Sequence, residues 1–263
     1  MSKKNFWKSI FTPEIVLIAI GLIAIHWSSL ALLPFSLVAQ AQAVPVADVF
    51  SPPLSFRDGL SYEPRIMYNN EGQLIENTDY GVKNPDLQGD TCFRVNFDQI
   101  YHAGEDWYRA DGNSTAGAEV TAVANGTVAF ANPNMNYPGL VVIIEHTLTS
   151  GQKVYSVYAH LDDSSLEVEA GQVVLRGQRL AEVMYQDYTG RYPEYHPSGD
   201  DSHLHYELRN FYNGRDIDSA YPNCNGLIPG RGYTHPETPD NFPGPKANYT
   251  DPATFIQERL ATP

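Results

Sequence analysis

The chain has 263 residues, enough for one domain with a small accessory piece, and its 42% apolar content can fill a core. A formal charge of −14 makes it a poor partner for nucleic acid or for an anionic membrane surface. Seventeen Tyr, 20 Gly and 19 Pro favour strands and turns over long helices, so a mainly β fold is expected.

The N-terminus reads as an export segment. Lys3, Lys4 and Lys8 precede an uncharged run from Ile15 to Val38, and Ala39-Gln40-Ala41-Gln42-Ala43 offers small-x-small cleavage sites near Ala41 or Ala43. The run is also long enough to span a bilayer, so residues 1–43 are expected to be a signal peptide or an N-terminal membrane anchor. Membrane contact is expected only through them, if they stay uncleaved. Either way the remainder leaves the cytoplasm, for the periplasm, cell envelope or exterior. Residues 1–43 carry three Lys and one Glu, so without them the charge is −14 − 2 = −16. Cys92 and Cys224 are then an even pair in an oxidising compartment, which predicts a disulfide; two separate buried thiols are the alternative. Neither lies in a C-x-x-C, so zinc ligation by cysteine is not expected.

Residues 44–92 are polar and turn-rich, with loops marked by Pro52-Pro53, Asn69-Asn70 and Asn84-Pro85. They read as a lead-in that wraps the later part of the chain and carries no chemistry of its own. Phe93 to Phe97 is a short alternating strand leading into Ile100–Trp107. There His102 and Asp106 stand four apart, which aligns them on a helix or a strand. Gly104 between them argues against a helix and is expected to leave the space over that face open for an ion. Imidazole plus carboxylate is an ordinary zinc pair, although a surface histidine and a turn aspartate give the same pattern.

A series of strands comes next. Ala118–Ala124 meets Asn125-Gly126, a hairpin signal, and Thr127–Phe130 returns. Leu140–His146 is a buried strand by its continuous apolar run. His146 ends it without an acidic or histidine neighbour at matching spacing, and reads as structural or exposed. Lys153–His160 alternates, with Val154, Ser156, Tyr158 and His160 on one face and Tyr155, Val157, Ala159 and Leu161 on the other. Val168–Val173 and Leu175–Leu180 each read as strand, glycine, strand. Asp187 to Ser202 is a long polar loop, either a substrate wall or disordered.

That loop delivers the chain to Ser202-His203-Leu204-His205-Tyr206-Glu207. In a strand, His203, His205 and Glu207 share one face, and Leu204, Tyr206 and Leu208 the other. Two imidazoles on a rigid strand suit a metal site, though a lone H-x-H is a weak signal. Glu207 either orients His205 as a hydrogen-bond acceptor or is a solvated strand-end charge. After Arg209 the pattern is lost until Asp251-Pro252 opens a short helix through Leu260.

Three of these motifs, His102-Ala-Gly-Glu-Asp106, Val157-Tyr-Ala-His160-Leu161 and His203-Leu-His205-Tyr-Glu207, occur in one order. Together with Val123–Val128, Val141–His146 and Gly171–Gln178 they make residues 93–210 resemble the lysostaphin- and LytM-type zinc metallopeptidases, which cut peptide bonds in bacterial peptidoglycan. The resemblance implies a compact, mostly antiparallel β structure around a groove, of the duplicated-hybrid-motif kind, with a loop-rich extension over 211–263 that ends in the closing helix. It implies one zinc ion per chain, held by His102, Asp106 and His205, with His160 and His203 facing the substrate as catalytic residues whose separate roles stay open. Three protein ligands leave a fourth position for water, as in catalytic zinc sites. The substrate implied is the peptide of peptidoglycan cross-links. Two features depart from the family pattern: the acidic approach Ser198–Ser202 and an insertion of some forty residues after Arg209 containing Cys224. The rival expectation is a silent relative that binds wall and activates another hydrolase; that reading needs broken motifs, and all five positions stand here.

Overall fold

A computed structural model describes residues 46–54, 60–68, 71–72, 74–81, 101–133, 138–187, 199–210, 212, 232–234 and 249–260. The chain divides into two compact units, Met1–Ala41 and Gln42–Pro263, and every described residue lies in the second. The export segment, Cys92, Cys224, the Phe93–Phe97 strand and most of the 211–249 insertion fall outside the described residues. Among the described residues no helix is long and apolar enough to cross a membrane.

The strands, in chain order, are β1 (Tyr62–Pro64), β2 (Ile66–Tyr68), β3 (Leu74–Asn77), β4 (Tyr101–His102), β5 (Glu105–Arg109), β6 (Glu119–Thr121) and β7 (Gly126–Pro133). They continue with β8 (Leu140–Thr147), β9 (Lys153–Leu161), β10 (Val173–Val174), β11 (Arg179–Glu182), β12 (Leu204–Arg209), β13 (Tyr233–Thr234) and β14 (Tyr249–Thr250), and helix α1 (Pro252–Glu258) closes the series. One sheet dominates, in the order β1-β5-β12-β9-β8-β7-β10, with β14 continuing the β5 edge of β12. Its pairs are antiparallel, as the family resemblance implies. The helix starts where the sequence places it, capped by the Asp251 carboxylate, which accepts from the Thr254 amide at 3.0 Å.

The sheet has two unlike faces. On the first, Leu204, Tyr206 and Leu208 of β12 join Trp107, Tyr158, Val142 and Ile144 in the main core. The N-terminal segment seals it: Phe50 stacks edge-on against Phe255 of α1 at 4.9 Å and against His146 at 5.4 Å. On the second face, Val141, Ile143, Tyr155, Val157 and Ala159 form a smaller cluster. In register beside them lie the polar residues of β12, with His205 opposite Ala159, Glu207 opposite Val157 and Arg209 opposite Tyr155. The second face therefore carries the buried polar residues of β12.

Three expectations are corrected here. Asn125-Gly126 is not a hairpin turn: β6 pairs with β11, and β7 with β8 and β10. A type I′ turn needs φ > 0 at both central residues, and neither has it. Gly126 is needed for closeness instead, since a Cβ there would lie 2.5 Å from the Glu145 carbonyl oxygen. The two glycine-centred segments yield only the short strands β10 and β11, and Val168 lies outside them. Third, strict alternation fails at the end of β9. Tyr158 pairs with Val142 but Leu161 with Leu140, so β9 carries one extra residue there, a β-bulge. His160 within it has φ 62°, the one non-glycine residue with positive φ among those described. Leu161 consequently packs into the same core as Tyr158, not the opposite face.

Candidate metal centre

His102 ends β4 and Asp106 lies in β5, separated by the bend at Ala103-Gly104. Asp106 pairs in register with His205 across β5 and β12, which puts carboxylate and imidazole side by side on the second face. The Asp106 Oδ1 atom is 2.7 Å from His205 Nδ1 and 3.2 Å from His102 Nε2, and the two nitrogens are 3.2 Å apart. Ligand atoms 2.0–2.1 Å from a tetrahedral zinc are separated by about 3.3 Å, so the trio has nearly the spacing such an ion imposes. Among the described residues no other group of three His, Cys, Asp or Glu brings its ligand atoms together this way.

The remaining histidines stand next to the trio. His203 immediately precedes β12, and its Nε2 lies 3.8 Å from Asp106 Oδ1. The His160 ring is 4.8 Å from that of His203 and 6.1 Å from that of His205. Regular alternation after Tyr158 would send His160 into the main core; the bulge and its left-handed backbone turn it toward the polar face instead. For a non-glycine residue that conformation costs on the order of 1 kcal/mol, and such residues cluster at functional sites. The five residues singled out in the sequence thus meet in one place.

Each imidazole is oriented from behind. His102 Nδ1–H donates to the Asp79 carbonyl (3.1 Å), His160 Nδ1–H to the Pro138 carbonyl (3.0 Å) and His203 Nδ1–H to the Asp201 carbonyl (2.6 Å). A carbonyl only accepts, so these three rings carry the proton on Nδ1 and keep Nε2 for chemistry when neutral. His205 is turned the other way. Its Nε2–H donates to Glu207 Oε1 (2.8 Å), and its Nδ1 faces the trio. Glu207 is completely buried and also accepts from Arg209 Nε (2.5 Å). It is the orienting acceptor, and the solvated strand-end charge is excluded by that burial.

Electrostatics follow from these contacts. Burial alone would raise the Asp106 carboxyl, but His102 and His203 nearby, with hydrogen bonds from His102 and His205, hold it well below the usual carboxylate range. Burial would likewise lower His205, yet the Asp106 and Glu207 carboxylates outweigh it and push the ring up to about 9 in the metal-free chain. His160 goes down to about 3, because its ring is shielded from water and beside His203 and His205. His146, buried and remote, falls to about 4 by desolvation; it bonds the Asn125 carbonyl and the Ser156 hydroxyl, and is structural.

Two expectations about the surroundings need correction. Gly104 does not hold space open for an ion: a Cβ there would lie 2.2 Å from the Tyr206 carbonyl oxygen and 2.7 Å from Glu207 Cγ, so the glycine admits the β12 backbone. The lead-in, read as chemically silent, supplies support. Beyond the Asp79 carbonyl, the Thr78 hydroxyl donates to the Asp106 carbonyl (3.1 Å), while the Asp106 amide donates to the Thr78 carbonyl (3.0 Å). Tyr108 was also missed. Its hydroxyl donates to Asp201 Oδ1 (2.9 Å), its ring lies 5.0 Å from His203, and the Arg65 guanidinium stacks on it at 3.4 Å. Backbone acceptors carry no residue signature, so no motif could have found Asp79, and a lone threonine hydroxyl such as that of Thr78 marks no site by itself.

Residues 101–219 match the family model described as Peptidase family M23, and that segment is 119 of the 263 residues. The likeness to the lysostaphin- and LytM-type peptidases read from three motifs is borne out over it. No curated protein matches the chain significantly. Similar solved structures include the SpoIIQ–SpoIIIAH pore-forming complex, at 18% identity and TM-score 0.40, over 81% of this chain and 98% of that one. The catalytic domain of the antimicrobial peptidase lysostaphin from Staphylococcus simulans is 18% identical with TM-score 0.34, over 57% and 84%. A zinc-containing peptidase from Vibrio cholerae is 25% identical with TM-score 0.31, over 57% of this chain and 43% of that one; the chain thus spans less than half of the Vibrio protein.

Proposed function

We propose that this chain, whose residues 101–219 match Peptidase family M23, is an exported zinc endopeptidase that hydrolyses peptide bonds in peptidoglycan cross-links. The observation that carries the reading is the convergence of His102 Nε2, Asp106 Oδ1 and His205 Nδ1 within 3.2 Å of one another, with two further imidazoles alongside. Two imidazoles and one carboxylate are an ordinary donor set for a single catalytic zinc ion. Zinc in such a site supplies Lewis acidity, polarising a carbonyl and acidifying water.

The chain's own residues do the rest. His203 and His160 each have Nδ1–H committed to a backbone carbonyl, so the neutral ring presents an unprotonated Nε2. One of them can take a proton from attacking water. The other, once protonated, can donate to the oxygen on which negative charge develops or to the departing amine. Asp106, held ionised, balances the positive charge gathered there. Tyr108 and the Asp201 carbonyl fix the plane of His203, so the ring does not search for its orientation at each turnover.

Product chemistry tests the reading. Full-length chain loaded with zinc is incubated with purified cell walls of several cross-link types, and new amino groups and new reducing ends are counted. Release of amino groups without reducing ends is expected of a peptidase. With zinc confirmed bound, no release from any wall would overturn the assignment. Stimulation of a separate wall hydrolase under those conditions would identify a non-catalytic scaffold instead.

A further inference from the structure

Of the four histidines at the centre, three are held from behind by neutral backbone carbonyls: His102 by Asp79, His160 by Pro138 and His203 by Asp201. His205 is held from behind by a directly hydrogen-bonded carboxylate, and by its opposite nitrogen. That carboxylate is placed with care. His205, Glu207 and Arg209 stand at i, i+2 and i+4 on β12, on one face, and are 3%, 0% and 1% exposed. Glu207 spends one oxygen on His205 Nε2 (2.8 Å) and the other on Arg209 Nε (2.5 Å). The Arg209 guanidinium is in turn 5.4 Å from the Tyr249 ring on the neighbouring strand β14. Two glycines make the room. A Cβ at Gly104 would lie 2.7 Å from Glu207 Cγ, and one at Gly232 would lie 2.7 Å from His205 Cε1. A fully buried ion pair adds little net stability over an apolar pair of like volume, so a role other than holding the sheet together is called for.

Building on the zinc reading above, we propose that Glu207, steadied by Arg209, is the positioning residue of the metal centre: it fixes His205 with the proton on Nε2, aims Nδ1 at the ion, and thereby sets zinc affinity. A carboxylate behind a ligating imidazole makes the ring more basic and locks its plane, and removing such a partner weakens metal binding 10- to 100-fold. Behind His203 the Asp201 carboxylate comes no nearer than 4.0 Å to Nδ1, beyond hydrogen-bond reach, whereas the Glu207 carboxylate is bonded directly to His205 Nε2 at 2.8 Å. His205 is therefore the ligand on which affinity turns.

The test measures zinc dissociation constants by competition with a chromophoric chelator, alongside thermal melts of the metal-free chains, all at full length. Glu207→Gln/Arg209→Gln removes both charges together, and the two amides can still bond to each other and to His205. A folded double variant with affinity lowered about 10- to 100-fold is expected; a folded one that binds zinc as the parent does overturns the proposal. Glu207→Asp keeps the charge beside Arg209 but withdraws it from His205 by about 1.5 Å, the length of one C–C bond. It should lose affinity by a similar factor with little change in melting temperature, so the test stands even if the double variant does not fold; parent-like affinity in Glu207→Asp is equally overturning. Arg209→Lys, which keeps the carboxylate ionised, should restore affinity to within a few-fold of the parent, whereas a merely structural pair would show losses that follow the melting temperature. In long-range proton–nitrogen spectra of the zinc-loaded parent, His205 should carry its proton on Nε2 and His102 on Nδ1. A parent that binds no zinc defeats both this proposal and the zinc reading, while a parent that binds zinc with unchanged variants defeats only this one.

Discussion

His146 and His205 are two histidines at two ends of one sheet, both essentially removed from water, and they have been put to opposite uses. His146 sits where β8 ends, between the Asn125 carbonyl and the Ser156 hydroxyl with the Phe50 ring against it. Its partners are neutral, so desolvation wins and the ring stays uncharged down to about pH 4. His205 sits in β12 between two carboxylates, and these outweigh the same desolvation. Burial of a histidine therefore predicts nothing about its role. The charge of whatever touches its two nitrogens decides.

The sharpest way to break that contrast is to remove metal donors from one end and leave the other intact. Asp106→Ala should strip zinc from the chain, measured by elemental analysis of purified protein, since two ligands rarely hold the ion tightly. His146→Gln should retain one zinc per chain. Full zinc in the Asp106→Ala protein would reject the ligand assignment.

At the His205 end, the proposed ligands and the proposed proton-transfer residues should separate. His160→Ala and His203→Ala are expected to keep zinc and lose roughly 10²- to 10⁴-fold in turnover, the range for removing a positioned proton donor or acceptor. Equal loss of metal in these variants would mean that the five residues do not divide as described.

At the structural end, the expected effect is on stability against pH. The His146 pKa is depressed in the folded chain, from an ordinary 6.5 to about 4. Above pH 6.5 both folded and unfolded chains leave it neutral. As pH falls below 6.5 the unfolded chain takes a proton that the folded chain refuses, so stability should drop by about 1.4 kcal/mol per unit until pH approaches 4. Urea midpoints of the parent and His146→Gln between pH 7 and 4 read this as a difference in slope. Parallel curves would show that His146 is not held neutral.

The smallest effect concerns the backbone that turns His160 toward the centre. Both His160→Gly and His160→Ala delete the ring, yet only glycine accepts φ 62° without strain. The Gly variant should therefore be more stable than the Ala variant by about 1 kcal/mol, the reverse of the usual order within a strand. Thermal melts of the two compared side by side decide it.

Much of this was legible beforehand because it depends on side-chain identity at short spacing. His102 and Asp106 four apart, His160 at a strand end, and His203 with His205 are local patterns, and local patterns survive folding. What could not be read depends on contacts between distant backbones. Gly104 and Gly126 look like an open face and a turn, and in fact admit the Tyr206 and Glu145 carbonyls. The Asp79 carbonyl that holds His102 would be the same atom whatever residue stood at position 79. Glu207 offered two readings because its burial comes from the whole sheet, not from its neighbours in sequence. The face of His160 was misassigned because a bulge changes the parity of a strand without changing its composition.

That parity has a consequence for how such a site can be lost. Four of the five residues stand where regular strands or their ends place them, but the fifth is placed by a count. Deleting a single residue from Ala159-His160 would restore regular pairing between β8 and β9 and leave the strand better formed than before. The sheet would then be more regular, with position 160 facing the main core. Loss of Ala159 would therefore keep all five residues in the chain and still carry the His160 ring away from the other four.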